Sequence, residues 1–190
     1  MVQSDLEPLK ILPVVLCRRE QVHENFMDEK LKQLRKALKV NVQILNGIDV
    51  YEEKDVPLLN EYAAKADVIL LYKPHLGLGN CLLKISEYNL PIILFNDEGL
   101  VNNPLDALEY VYPRKNVWVA VDYQDLNTYL TALSAKRKLG QTKVLILNAD
   151  FPHWGRFLCR VHGGGEAIKE RLGIELEYVE SEEVIKRWEI

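Results

Sequence analysis

Short runs of apolar residues recur along the first 121 positions of the chain. Most are continuous stretches of Val, Ile and Leu, as is typical of strands buried on both faces of a parallel sheet. We predict five such strands, at positions 10–17 (KILPVVLC), 40–45 (VNVQIL), 67–72 (DVILLY), 91–95 (PIILF) and 116–121 (NVWVAV).

The stretches between these runs have the pattern of amphipathic helices. In the first of them, Phe26, Leu31, Leu34 and Leu38 recur at roughly helical spacing with charged residues between them. Further helices are predicted at 56–66, 79–89 and 103–111. Strands that alternate with helices in this way form right-handed parallel βαβ units. The pattern therefore predicts an α/β fold with a doubly wound parallel sheet in the flavodoxin-like strand order 2-1-3-4-5.

A different arrangement follows this sheet. We divide the chain into a flavodoxin-like domain at 1–122, a linking helix at 123–140 and a partial second α/β domain at 141–190. The last part contains strands at 142–148 and 174–180, each followed by a helix. Two strands and two helices cannot bury a parallel core alone. We therefore expect the chain to be the front part of a longer protein, the alternative being that these strands extend the first sheet.

Composition narrows the class of protein. Hydrophobic residues make up 48% and charged residues 27% of the 190 positions, as in a globular protein with a core. The formal net charge of -4 gives no reason to expect nucleic acid or an anionic membrane as a partner, and no apolar run has the length of a membrane span. Three widely separated cysteines and the lack of a signal-peptide pattern predict a cytoplasmic protein with reduced thiols.

Candidate chemistry lies in the loops that follow the strands. In the predicted strand order, ligands bind between the carboxyl ends of strands one and three. Arg18 and Arg19 follow strand one, and His75 follows strand three. A guanidinium group can bind a phosphate, a carboxylate or sugar hydroxyls, although both arginines could equally be solvated surface charges.

Lesser candidates follow strands four and six. Asn96 and Asp97 come directly after strand four, and Trp154 lies in the loop after strand six, where its ring could stack on a sugar or a base, or pack beneath the loop. The glycines at 163–165 could present backbone N–H groups to an anion, but a simple turn explains them as well. The neighbouring arginines could lower the pKa of Cys17, although no catalytic base can be assigned.

Several functions of flavodoxin-like folds are excluded. The acidic residues of a receiver domain are missing after strands one and three, and the loop CRREQVHEN has no Ser or Thr to bind the phosphate of a flavin. The chain also lacks the Asp-x-His-x-x-Gly motif of a cobalamin module.

The chain resembles the amino-terminal portion of the L-fucose and L-arabinose isomerase family in layout and loop character. The matching features are VVLCRRE, LLYKPHLGLGN, PIILFNDEG and the new start at TKVLILNADFPHWG. The resemblance implies a homo-oligomer in which the first domain lends Arg18 and His75 to a sugar site at a subunit interface. It also implies that the whole enzyme uses manganese, whose ligands lie in later domains and match nothing in this chain. This chain alone is thus expected to hold no metal or cofactor and to lack catalysis.

Two other functions stay open. One is a self-contained α/β module that binds a small anion or nucleotide through Arg18, Arg19 and the glycine loop. The other is a scaffold subunit without a ligand.

Overall fold

A computed structural model describes residues 7–74, 77–95, 114, 116–141, 143–148, 164–180 and 186. The chain divides into two compact units, Met1–Thr131 and Ala132–Ile190, with the boundary inside a long helix. The helix predicted at 103–111 and all but one residue of the helix predicted at 181–189 lie outside the described residues.

The first unit is an α/β structure with a parallel sheet, as the sequence predicts. Its strands are β1 (Leu9–Leu16), β2 (Val42–Ile44), β3 (Ile48–Val50), β4 (Val68–Tyr72), β5 (Ile92–Phe95) and β6 (Val117–Ala120). Its helices are α1 (Phe26–Ala37), α2 (Leu59–Ala63), α3 (Gly79–Ser86) and the first half of α4 (Tyr123–Gly140). Two 3₁₀ helices, Arg19–Gln21 and Glu53–Leu58, follow β1 and β3.

The strand order differs from the prediction by one strand. The sheet runs β2-β1-β4-β5-β6, and the short strand β3, which the sequence pattern did not predict, also pairs with β1. β2 and β3 pair one after the other along the same side of β1. A single strand was predicted there, so the order 2-1-3-4-5 needs this correction.

Pro13 explains why the neighbour of β1 is broken in two. The N–H of Leu9, the C=O of Ile11 and the N–H of Cys17 all bond toward β2 and β3, so the odd-numbered residues of β1 face that side. Pro13 shares this orientation and has no N–H to donate. Opposite Leu12 and Pro13 the neighbouring segment has three residues, 45–47, as in a β-bulge, and Leu45 N–H still donates to Ile11 O at 2.8 Å.

Both faces of the sheet are covered. On one face, alternate strand residues pack against the Glu53–Leu58 helix, α2 and α3. On the other, the ring of Phe95 lies 5.5 Å from that of Tyr72 and 5.0 Å from that of Tyr123 at the start of α4. Asn127 of α4 donates hydrogen bonds to Ala37 O at 3.1 Å and to Tyr123 O at 2.7 Å, so α4 and α1 are neighbours.

The second unit contains the end of α4, β7 (Lys143–Asn148), α5 (Gly164–Leu172) and β8 (Glu175–Glu180). β7 and β8 pair in parallel over six residues and form a two-stranded sheet of their own. Gly173 has φ +74°, and a Cβ on it would lie 3.0 Å from the Cα of Gly140, so a larger residue is strained at this position. Across the described part of both units, no helix is long and apolar enough to cross a membrane.

Candidate ligand-binding site

The crevice predicted from the sequence lies at the carboxyl end of β1. The chain continues from β1 to β2 and β3 on one side and then to β4 on the other, so the strand order reverses beside β1. Ligands of open α/β sheets bind at such points. Of the six predicted site residues, the structure describes Arg18 and Arg19; His75, Asn96, Asp97 and Trp154 lie outside the described residues.

The end of β1 brings both arginines to the surface. Cys17 N–H donates to Val50 O at 3.2 Å, so pairing with β3 continues one residue beyond the strand. The chain then leaves the sheet and begins the 3₁₀ helix Arg19–Gln21. The side chains of Arg18 and Arg19 are exposed, immediately after a run of buried residues.

Tyr51, which sequence reasoning missed, lies directly against Arg19. The guanidinium carbon of Arg19 is 5.2 Å from the centre of the Tyr51 ring, within the range of a cation–π contact. Tyr51 follows β3, the strand that the sequence pattern did not predict, so nothing in the sequence placed it beside β1. The only sequence signal was an aromatic residue shortly after Asn46 and Gly47.

Tyr51 is held in place by two acidic residues. Its hydroxyl donates to Asp49 Oδ2 at 3.0 Å, and its backbone N–H donates to Asp55 Oδ2, also at 3.0 Å. The same Asp55 oxygen accepts from Glu52 N–H and caps the Glu53–Leu58 helix. Burial and the bond to Asp49 raise the pKa of the Tyr51 phenol, so the hydroxyl stays a donor at neutral pH.

Lys73 is a third cation at this edge of the sheet. It directly follows β4, the neighbour of β1, and only 8% of it is exposed. Lysine is rarely buried to this extent. The carboxyl ends of β1 and β4 thus carry Arg18, Arg19 and Lys73, while Glu20 and Asp49 lie close enough to affect Cys17.

The two arginines that follow Cys17 do not activate its thiol. It is buried, and its pKa is raised to about 11, first by burial and then by the negative charges of Asp49 and Glu20. A thiol with this pKa is almost entirely protonated at neutral pH and is a poor nucleophile. Cys17 therefore acts here as a small apolar side chain.

A cavity of about 320 Å³ lies between the Glu53–Leu58 helix and α3, and neither arginine lines it. Lys84 on its wall already pairs with Glu53, and the Tyr88 hydroxyl lies 2.7 Å from Asn60 Oδ1. Its polar groups are therefore largely engaged with one another. Among the described residues, no group of three or more His, Cys, Asp or Glu side chains could hold a metal ion.

Comparison of the chain with protein-family models and with curated proteins finds no match.

Proposed function

We propose that the first unit is a flavodoxin-like module that binds a small anionic ligand, such as a phosphate or a nucleotide, at the carboxyl ends of β1 and β4. The observation that carries this proposal is the placement of basic residues after two adjacent central strands, where the strand order reverses: Arg18 and Arg19 after β1, and Lys73 after β4. Guanidinium groups bind carboxylate and phosphate oxygens through paired hydrogen bonds.

Exposed guanidinium groups at this edge of the sheet favour an anion over a neutral ligand. Arg18 and Arg19 are both exposed at the end of β1, and the Arg19 guanidinium lies over the ring of Tyr51. Asp49 accepts the Tyr51 hydroxyl at the same edge.

Calorimetric titration with inorganic phosphate and with adenosine monophosphate tests the proposal. We expect Arg18→Gln and Arg19→Gln each to weaken binding about tenfold, because a hydrogen bond to a charged group contributes about 1.5–3 kcal/mol. Binding should also weaken as salt is raised.

Arg35→Gln is the matched control, because Arg35 is an exposed arginine in the last turn of α1. The Arg35→Gln variant should bind both probes with the affinity of the unmodified chain. The proposal is wrong if neither probe binds, or if Arg35→Gln weakens binding as much as Arg18→Gln does.

A sugar-isomerase-like role is a second proposal, and the exposed position of Arg18 at the end of a central strand favours it. In this proposal Arg18 contacts sugar hydroxyls at a subunit interface of a larger, manganese-dependent homo-oligomeric enzyme, and this chain alone converts no substrate. Titration with L-fucose and L-arabinose separates the two proposals: binding of a neutral sugar that Arg18→Gln abolishes, without phosphate binding, would favour the isomerase-like role.

A further inference from the structure

We infer that Tyr51 is a positioning residue that holds the guanidinium of Arg19 ready for the anion. This inference depends on the proposed anion site. It assigns a role to a residue that follows β3, whereas both arginines follow β1.

The ring of Tyr51 is held in place by contacts other than the one with Arg19. β3 is paired with β1 through Leu16 and Val50, and Tyr51 is the next residue along the chain. Asp55 holds its backbone N–H, and Asp49 accepts its hydroxyl hydrogen. Because the backbone N–H and the hydroxyl of Tyr51 are both hydrogen-bonded, rotation of its side chain is restricted.

The face of this ring contacts the guanidinium group of Arg19. Arg19 is exposed, and a long exposed side chain has many rotamers whose loss opposes binding. The ring face attracts the guanidinium, which lies 5.2 Å from its centre. A guanidinium held over a ring can still present its N–H donors to oxygen atoms in pairs. Tyr51 thus reduces the conformational cost of using Arg19.

Asp49 has two effects in this arrangement. Its carboxylate orients the phenol, and it also adds negative charge near the site. Tyr51→Phe removes the hydroxyl and keeps the ring, so it separates orientation of the ring from stacking. Tyr51→Leu removes the aromatic face and keeps an apolar side chain.

The experiment measures two quantities: the position of the Arg19 Nε–H signal and the affinity for phosphate. In nuclear magnetic resonance spectra of the full chain, the ring current of Tyr51 should shift the Arg19 Nε–H signal upfield. Tyr51→Leu should abolish this shift, and Tyr51→Phe should reduce it only slightly. Phosphate affinity should fall about threefold to tenfold in Tyr51→Leu and less than twofold in Tyr51→Phe.

Tyr62→Leu is the control, because Tyr62 is an exposed tyrosine of α2. It should leave both readouts unchanged. If Arg18→Gln and Arg19→Gln weaken phosphate binding but Tyr51→Leu does not, the anion site stands and the positioning role of Tyr51 is wrong. If phosphate does not bind the unmodified chain, the proposed function fails, while the upfield shift still reports whether Tyr51 holds Arg19.

Discussion

Cys17 is buried at the end of β1, where its N–H donates to Val50 O of β3. From the sequence, two arginines follow it and favour a low thiol pKa; in the fold it is buried with Asp49 and Glu20 nearby, and its pKa rises. Asp49 is far from Cys17 in sequence and approaches it because β3 pairs with β1.

The raised pKa of Cys17 predicts slow alkylation in the folded protein. With the pKa moved from 9.0 to about 11, its thiolate population at pH 8 is about 100-fold lower than in the unfolded chain. We expect iodoacetamide to modify Cys17 at least 100-fold more slowly in buffer than in urea, as measured by peptide mass spectrometry.

The same shift affects stability at alkaline pH. Because the folded-state pKa is above the unfolded value, the contribution of Cys17 to stability is complete below pH 9 and is lost as pH rises toward 11.

Asp49→Asn should accelerate alkylation of Cys17 only slightly, since burial is the main cause of the raised pKa. Equal rates in buffer and urea would contradict this account.

The predicted elements of the first unit are largely present in the described residues. All five apolar runs form strands. Continuous runs of Val, Ile and Leu are typical of parallel strands, because both faces of such a sheet are covered. The break between β2 and β3 was not predicted, since it depends on which side of β1 Pro13 faces, a property of the pairing rather than of the local sequence. Tyr51 was missed for the same reason, whereas Arg18 and Arg19 were placed correctly at the end of β1.

Contact between α1 and α4 depends on the side-chain amide of Asn127. Besides its two donated bonds, it accepts Lys39 N–H at 2.8 Å and so satisfies a backbone group just beyond the end of α1. We expect Asn127→Ala to lower the free energy of unfolding by about 1–2 kcal/mol, because the three lost bonds outweigh the better helix propensity of alanine. Urea denaturation followed by circular dichroism measures this change.

Thr131→Ala provides the comparison on the same helix. The Thr131 hydroxyl donates to Asn127 O within α4 and is exposed, so its loss should change the free energy of unfolding by less than about 0.5 kcal/mol. A similar loss in both variants would mean that Asn127 does not specifically join the two helices.

At the scale of the whole molecule, the two units differ in how completely their strands are enclosed. β4 is buried along its entire length, with neighbours on both sides. In the second unit, the described side chains of Val144, Ile168 and Leu172 are each more than a third exposed, and the described residues contribute two strands to its sheet.

Exposed apolar side chains indicate incomplete packing, so we expect local opening in the second unit. Amide hydrogen exchange followed by mass spectrometry should show β7 and β8 exchanging at least about tenfold faster than β1 and β4. Equal protection in the two sheets would show that the second unit is as stable as the first.

The interruption at Pro13 also shapes one border of the sheet. Among the described strands, β2 and β3 form one border of the sheet, and each is three residues long. A long, straight border would offer a continuous row of N–H and C=O groups to a second chain. Here the bulge at 45–47 divides that row into two short pieces, so an incoming strand could not pair along its full length. We therefore expect the interruption beside Pro13 to limit the addition of further strands at this border.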